Sequence, residues 1–313
     1  MKRLLCVLLS FVLAFCCAAP AAAAETVYLY PVSGVPENGL HVFGHRGYSA
    51  AAPENTLAAF RLAGENGFWG VECDAIRSAD GVWMVSHDND VSRLTDGTGR
   101  ITELTCEELQ RFTVDAGEGI ADHPGQKIPT LTQVMDLCAA YGMRLVIEIK
   151  ESSPEQMASL SSLISGRAEK ERFILVSFQT EPLAEIKRLL PEIPAFLISV
   201  PVTDNAISFC KENGLDGIDL CAMLASSADF LRVRRAGLKT MAWMVDSRAD
   251  AARLYRLGVT EITSNSLVPQ TDPNAKRPSR ALEGVKNTFA QFLRQLLETV
   301  GAVLSMLGIN IYS

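Results

Sequence analysis

Short apolar runs alternate with amphipathic stretches from about residue 41 to residue 265. Apolar runs of this length predict buried strands, and apolar positions spaced three or four residues apart predict helices. The predicted strands cover residues 41–46, 69–75, 144–150, 173–178, 195–199, 217–220, 238–245 and 260–263. The predicted helices cover residues 55–66, 131–141, 154–168, 181–190, 204–213, 228–236 and 248–257.

Residues suited to helix ends stand at the boundaries of these helices. Proline, which lacks an N–H, is tolerated near a helix start, as at Pro154 and Pro182. Glycines able to form left-handed caps follow four of the helices: Gly142, Gly214, Gly237 and Gly258. The alternation and its length predict a (β/α)8 TIM barrel, with a doubly wound open sheet as the alternative. No G-x-G-x-x-G follows the first strand, which disfavours a dinucleotide-binding version.

One segment interrupts the alternation. Residues 77–130 contain a series of turn signals, which are Asp80-Gly81, Asp96-Gly97, Thr98-Gly99, Pro124-Gly125 and Pro129. They predict a small insertion between the second strand and its helix, with hairpins of its own. The predicted barrel domain spans residues 25–270 and includes this insertion.

The first 24 residues have the pattern of a secretory signal peptide. Lys2 and Arg3 precede an apolar stretch, and three alanines at 22–24 form a small-residue cleavage site. An uncleaved membrane anchor is the alternative, although the apolar run is short for a span. We therefore expect cleavage near Ala24 and a secreted protein, either extracellular or periplasmic.

The other end of the chain, residues 271–313, is predicted to be a linker followed by an amphipathic helix. Proline, asparagine, serine and charged residues are frequent from 266 to 280, where the linker pattern begins. An apolar stripe with helical spacing then runs from Leu282 to Leu307. The favoured interpretation is a last helix packed on the barrel. A dimerisation helix or a membrane-surface helix remains an alternative, because residues 300–311 carry no charge.

Net charge and cysteine content restrict the classes of function that the chain can have. The chain carries 29 Lys and Arg against 36 Asp and Glu, a net charge of −7, and an acidic protein is a poor candidate for binding nucleic acid. Five cysteines follow the signal sequence: Cys73, Cys106, Cys138, Cys210 and Cys221. An odd number in a secreted chain leaves a free thiol or an intermolecular bridge. Their spacing is unlike a structural zinc site, so core packing is expected.

Carboxylates cluster at the predicted strand ends. Glu72 and Asp74 are two residues apart on one strand, so their side chains share a face and Cys73 points the other way. Glu148 and Lys150 repeat this arrangement on the next barrel strand. Three carboxylates make an oxygen-only site suited to Ca²⁺, Mg²⁺ or Mn²⁺ rather than zinc or copper. The alternative is a set of buried salt bridges with Arg46 and Lys150.

Two histidines stand beside other polar groups after apolar runs. His45 and His87 can act as base and acid in one reaction, because imidazole titrates near neutral pH. His41 and His123 are expected to be structural or exposed. Arg46 and Lys150 add fixed positive charge, and arginine matches the geometry of a phosphate. A divalent metal, these cations and two histidines together indicate phosphoryl chemistry.

Residues 41–265 resemble the glycerophosphodiester phosphodiesterase family. The matching segments include His45-Arg46-Gly47, the run 53–60 (PENTLAAF), Glu72-Cys73-Asp74, His87-Asp88, Arg93, the run 96–99 (DGTG), the run 128–131 (IPTL), Glu148-Ile149-Lys150 and Ser177-Phe178. The chain departs from the usual family text at Met244 and Asp246, and again at Asn265. These departures bear on leaving-group preference.

The resemblance implies a TIM barrel that hydrolyses glycerophosphodiesters to glycerol 3-phosphate and an alcohol with a divalent metal. It implies that Glu72, Asp74 and Glu148 bind the metal and that His45 and His87 are the acid–base pair. It also implies four substrate-binding residues, with Arg46 and Lys150 on the phosphate and Phe178 and Trp243 on the glycerol or leaving group. Calcium is the expected ion because a secreted enzyme meets abundant Ca²⁺.

Two other functions stay open from the sequence. A related barrel phospholipase, phospholipase-D-like or sphingomyelinase-D-like, would act on intact membrane lipids, and the C-terminal apolar stripe would help it to bind a membrane. A non-catalytic protein that binds phosphodiesters or wall polymers is the second alternative. It predicts loss of a histidine or of a metal-binding carboxylate, and neither is lost.

Overall fold

A computed structural model of the protein describes residues 26–271, apart from residues 152 and 201. Its strands, in chain order, are β1 (Val27–Tyr30), β2 (His41–Gly44), β3 (Gly70–Arg77), β4 (Trp83–Val85), β5 (Arg144–Ile149), β6 (Phe173–Ser177), β7 (Ala195–Ser199), β8 (Gly217–Cys221), β9 (Lys239–Trp243), β10 (Glu261–Ser264) and β11 (Leu267–Thr271). Eight of them pair in parallel in the order β2, β3, β5, β6, β7, β8, β9 and β10, and β10 pairs with β2 to close a barrel. The predicted TIM barrel is confirmed.

Helices cover the outside of the barrel, except for the second helix, which lies in the segment that follows β4. They are α1 (Leu57–Glu65), α2 (Cys106–Arg111), α3 (Leu131–Tyr141), α4 (Pro154–Ser165), α5 (Thr180–Leu189), α6 (Asp204–Glu212), α7 (Ser227–Arg235) and α8 (Arg248–Arg256). Side-chain caps explain several starts, for example the capping box in which Thr130 and Gln133 bond to each other's backbone N–H at α3. The four predicted cap glycines all have φ between +66° and +84°, as left-handed caps require.

The core forms two layers separated by the barrel wall. Inside the barrel, Phe43, Val146, Ile174, Phe196 and Met241 belong to a small buried cluster. The alternate residues on the same strands face the helices and form the larger core. These apolar side chains fill the barrel interior. The polar side chains that come later in the same strands lie at its carboxyl-terminal mouth, where TIM-barrel sites are found.

The segment between β3 and α3 contains β4, α2 and two short 3-10 helices. The last residues of β3 extend beyond the predicted strand because they pair antiparallel with β4, with Ala75 opposite Val85. The backbone N–H of Ser86 donates to the carbonyl of Asp74 at 3.0 Å. This pairing places His87 beside the carboxylate-bearing part of β3.

A second, two-stranded sheet was not predicted. β1 pairs in parallel with β11, with Val27 opposite Leu267. The linker expected from residue 266 onward was therefore wrong at its start. Leu267 and Val268 have no exposed surface, and burial of two adjacent apolar side chains outweighs the polar composition that follows them.

The predicted signal peptide and the predicted C-terminal helix lie outside the described residues. Both therefore stay predictions, as do the membrane-contact and dimer interpretations. Within the described part of the chain, no helix has the length and hydrophobicity that a bilayer span requires. The five cysteines of the described residues are all free thiols, and four of them are buried. The expected core role therefore holds for Cys73, Cys138, Cys210 and Cys221.

Gly47 lies in the loop that follows β2, directly after His45 and Arg46. Its φ is +85°, and a Cβ there would lie 2.7 Å from backbone and side-chain atoms of Ala59 in α1. We expect Gly47→Ala to lower the free energy of unfolding by roughly 2–4 kcal/mol, from backbone strain and overpacking. Gly214→Ala is the control, because φ there is +66° and no atom lies within 4 Å. Equal losses in urea denaturation would contradict the close-approach explanation.

Candidate active site

Three carboxylates meet at the mouth of the barrel. Glu72 and Asp74 lie on β3, and Glu148 lies on β5 in register with Asp74. One oxygen of each carboxylate lies within 4.8 Å of the others. Glu72 and Asp74 are 5% and 1% exposed. The alternation of side chains along neighbouring strands is what brings these three predicted residues together.

Two cations and an amide contact these carboxylates. Lys150 Nζ lies 2.9 Å from Asp74 and 2.5 Å from Glu148, so part of the salt-bridge alternative is present. Arg46 Nε lies 3.4 Å from Asp74, and Asn55 Nδ2 donates to Asp74 at 2.8 Å. Burial by itself would raise the pKa of Asp74, but Lys150 and Arg46 lower that pKa well below its usual value. Asp74 is therefore ionised at neutral pH.

Glu72 has a different environment. It accepts a hydrogen bond from the backbone N–H of Arg46 at 3.0 Å. Burial, and then repulsion from Asp74 and Glu148, raise the pKa of Glu72 well above 4.5. A divalent cation between the three carboxylates would relieve both effects, and oxygen donors are those that Ca²⁺, Mg²⁺ and Mn²⁺ prefer. The residues present therefore fit a hard metal ion.

His45 follows β2 directly and is held by residues from the far end of the chain. Its Nδ1 lies 2.8 Å from Oδ1 of Asn265. Asn265 in turn donates to Asp246 at 2.8 Å. Because the Asn265 oxygen can only accept, Nδ1 of His45 is the donor and Nε2 keeps its lone pair. Burial and the nearby Arg46 charge lower the pKa of His45 to about 4, so its ring is neutral at neutral pH.

His87 lies in the loop after β4 and contacts its chain neighbour. Its Nδ1 lies 2.8 Å from Oδ1 of Asp88. The second carboxylate oxygen of Asp88 accepts from Nε of Arg93. Partial burial of Asp88 would raise its pKa, but the hydrogen bonds from His87 and Arg93 lower that pKa well below its usual value. His87 therefore faces a carboxylate, whereas His45 faces a neutral amide.

Two aromatic side chains stand on other strand ends of the same mouth. Phe178 follows β6 and is 43% exposed, and Trp243 ends β9. Their ring centroids are 5.9 Å apart at an interplanar angle of 86°. His41, by contrast, begins β2 at the opposite end of the barrel, where it stacks on Trp69 with the ring centroids 4.0 Å apart.

Some residues of this site were missed from the sequence. Asn265 and Asp246 were noted only as departures from the family text, and Glu54, Asn55, Asp88 and Arg93 only as matching text. Glu54 accepts from Nη1 of Arg46 at 2.8 Å and from Nη2 of Arg93 at 2.7 Å. The only available signal was that polar residues follow strand ends, and it does not identify their partners.

Comparison with known proteins shows the family to which the chain belongs. A profile of the glycerophosphoryl diester phosphodiesterase family matches residues 45–268. The chain belongs to this family. The matched region contains every candidate site residue described above.

Individual relatives agree with this assignment. A glycerophosphodiester phosphodiesterase of Caldanaerobacter subterraneus is 30% identical over 242 residues, which are 75% of this chain and 97% of the relative. Human glycerophosphodiester phosphodiesterase 1 is 37% identical over 129 residues, so the chain spans only 39% of that relative. A solved phosphodiesterase of Oleispira antarctica, in complex with the product sn-glycerol-3-phosphate, has a TM-score of 0.67 and 29% identity and covers 75% of this chain and 94% of its own.

Proposed function

We propose that this protein is a metal-dependent phosphodiesterase that hydrolyses glycerophosphodiesters to glycerol 3-phosphate and an alcohol. The observation that carries the proposal is the meeting of three carboxylates, two histidines and two cations at the carboxyl end of a barrel of this family. The solved relative that was determined with sn-glycerol-3-phosphate supports the product assignment.

Glu72, Asp74 and Glu148 would hold the metal. When bound, a divalent ion stabilises negative charge on the phosphoryl oxygens. Arg46 and Lys150 already lie against these carboxylates. We propose that N–H groups of these two cations also contact the phosphate of the substrate. Calcium is the ion we propose, because the ligands are all hard oxygens and the chain has a secretory signal pattern.

His45 serves as the general base. Its Nε2 is free of a proton, since Nδ1 donates to Asn265. It removes the proton from the nucleophile, which is water or the neighbouring glycerol hydroxyl. His87 serves as the general acid: Asp88 accepts from Nδ1, and a second proton on Nε2 passes to the oxygen of the leaving alcohol. In this reaction His45 accepts one proton and His87 donates one.

Phe178 and Trp243 form an apolar wall beside these charged groups. Their T-shaped contact leaves Phe178 43% exposed, which suits contact with the carbon atoms of glycerol or of the leaving group. We further propose that the enzyme acts outside the cytoplasm after cleavage of its signal peptide near Ala24. The charge pattern of residues 1–24 supports this location.

A product assay tests the proposal. Purified protein is treated with EDTA and incubated with glycerophosphocholine, and glycerol 3-phosphate is measured before and after Ca²⁺, Mg²⁺ or Mn²⁺ is restored. We expect release only with metal, and most with Ca²⁺. Undiminished release in EDTA would contradict metal dependence. Absence of release with every ion, together with choline release from phosphatidylcholine vesicles, would favour the phospholipase-D-like alternative. Substrate binding without turnover would favour the non-catalytic one.

A further inference from the structure

A continuous series of charged contacts connects His87 to Arg46, which lies in the loop after β2. His87 contacts Asp88 at 2.8 Å, and Asp88 contacts Arg93. Arg93 Nη2 then lies 2.7 Å from Oε1 of Glu54. The same Glu54 oxygen lies 2.8 Å from Nη1 of Arg46. One carboxylate oxygen is thus shared by two arginines that belong to different parts of the chain.

These contacts join the segment between β3 and α3 to the loop between β2 and α1. His87, Asp88 and Arg93 belong to the segment between β3 and α3, whereas Arg46 and Glu54 lie in the loop between β2 and α1. β4 ends at Val85, so His87 lies in the loop beyond the strand pairing. The Arg93–Glu54 contact therefore ties the loop that carries His87 to the barrel.

Arg93 is poorly placed to bind phosphate itself. Its Nε faces Asp88 and its Nη2 faces Glu54, so two of its donors are already occupied by carboxylates. The guanidinium fork suits this task, because it holds two acceptors in fixed directions and lysine cannot. Its geometry is that of a group that orients its neighbours.

We propose that Arg93, anchored by Glu54, is a positioning residue that holds Asp88 and thereby fixes the tautomer and direction of the His87 ring. An ionised carboxylate only accepts hydrogen bonds, so an Asp88 held in place requires the proton on Nδ1 and directs Nε2 away from itself. His87 and Asp88 side chains are 34% and 33% exposed. Without Arg93, water competes for both, and the ring samples other orientations.

This inference rests on the proposed role of His87 as the general acid. It is tested by comparing kcat on two substrates whose leaving groups differ in their need for a proton. An alkyl alcohol needs a proton as it leaves, whereas p-nitrophenolate does not. We expect Arg93→Gln to lower kcat on glycerophosphocholine about 10- to 100-fold, since small misplacement of a catalytic group has effects of this size. KM should change less than about 3-fold. On a glycerol phosphodiester of p-nitrophenol, kcat should fall less than about 3-fold, because general acid catalysis contributes little there.

Two further variants make the comparison specific. Arg93→Lys keeps the charge without the fork and should restore part of kcat on glycerophosphocholine. Arg100→Gln is the control, because Arg100 lies in the same segment and pairs with the exposed Glu103 at 3.7 Å, so both substrates should be turned over as by the wild type. If Arg93→Gln fails to fold, Arg93→Lys is used for the test. Its kcat must then fall more on glycerophosphocholine than on the p-nitrophenol diester.

The tautomer of His87 gives a readout that does not depend on turnover. At a pH at which the ring is neutral, ¹⁵N NMR of labelled histidine, assigned with His87→Ala, should show the Nδ1–H form in the wild type and a mixture in Arg93→Gln. Equal losses on both diesters, unchanged turnover of glycerophosphocholine, or an unchanged tautomer would overturn the positioning role. If the wild type cleaves neither diester, the proposed function fails, and the NMR comparison still decides the role of Arg93.

Discussion

Replacement of His45 by alanine is expected to lower kcat on glycerophosphocholine by about 10²- to 10⁴-fold, the usual contribution of a positioned general base. The same range is expected for His87→Ala. The chain has four histidines, so the two others provide matched controls. His41→Ala removes a ring at the opposite end of the barrel, and His123→Ala removes one from a turn. Both should retain near-normal turnover, measured as glycerol 3-phosphate release.

The pH dependence of kcat/KM adds a second check on His45. Its pKa of about 4 means that the base is neutral above about pH 5. Protonation of His45 should therefore reduce kcat/KM only as the pH falls toward 4. Near-normal rates in His45→Ala with intact circular dichroism would remove this residue from the reaction, and the same result for His87→Ala would remove the general acid.

The second large effect is expected on metal affinity. Glu148→Gln removes one of three ligand charges and should weaken binding of Ca²⁺ by about 100-fold or more, which corresponds to about 2.7 kcal/mol. Isothermal titration calorimetry measures this directly. Glu151→Gln is the control, because Glu151 lies three residues further on and instead accepts hydrogen bonds from Arg77 and Gln156. Equal affinities of Glu148→Gln and the wild type would exclude Glu148 from the ligand set.

Glu72→Gln should combine weaker metal binding with an unusual effect on stability. The pKa of Glu72 is raised in the folded protein, so its stabilising contribution is present below about pH 4.5 and is lost as the pH rises through the folded pKa. At neutral pH and without metal, Glu72→Gln should therefore unfold no more easily than the wild type. With Ca²⁺ present, the wild type should gain more thermal stability than Glu72→Gln.

Local sequence patterns determined the fold of this protein and much of its site. Alternating apolar and amphipathic stretches predicted parallel strands covered by helices, and eight such units favoured a barrel over an open sheet. Glu72, Asp74, Glu148 and Lys150 were predictable because side chains two residues apart on a strand share a face. His45 and His87 stood out as ionisable residues after apolar runs.

Tertiary structure decided which distant residues complete these groups. Asn265 meets His45 across 220 residues of chain, because β10 closes the barrel against β2. Arg93 meets Glu54 only because β4 folds back on β3. Likewise, β11 forms where a linker was expected, since its partner β1 lies at the other end of the described chain. Sequence periodicity reports which face of a strand or helix is buried, whereas the pairing of distant polar groups depends on how the barrel closes.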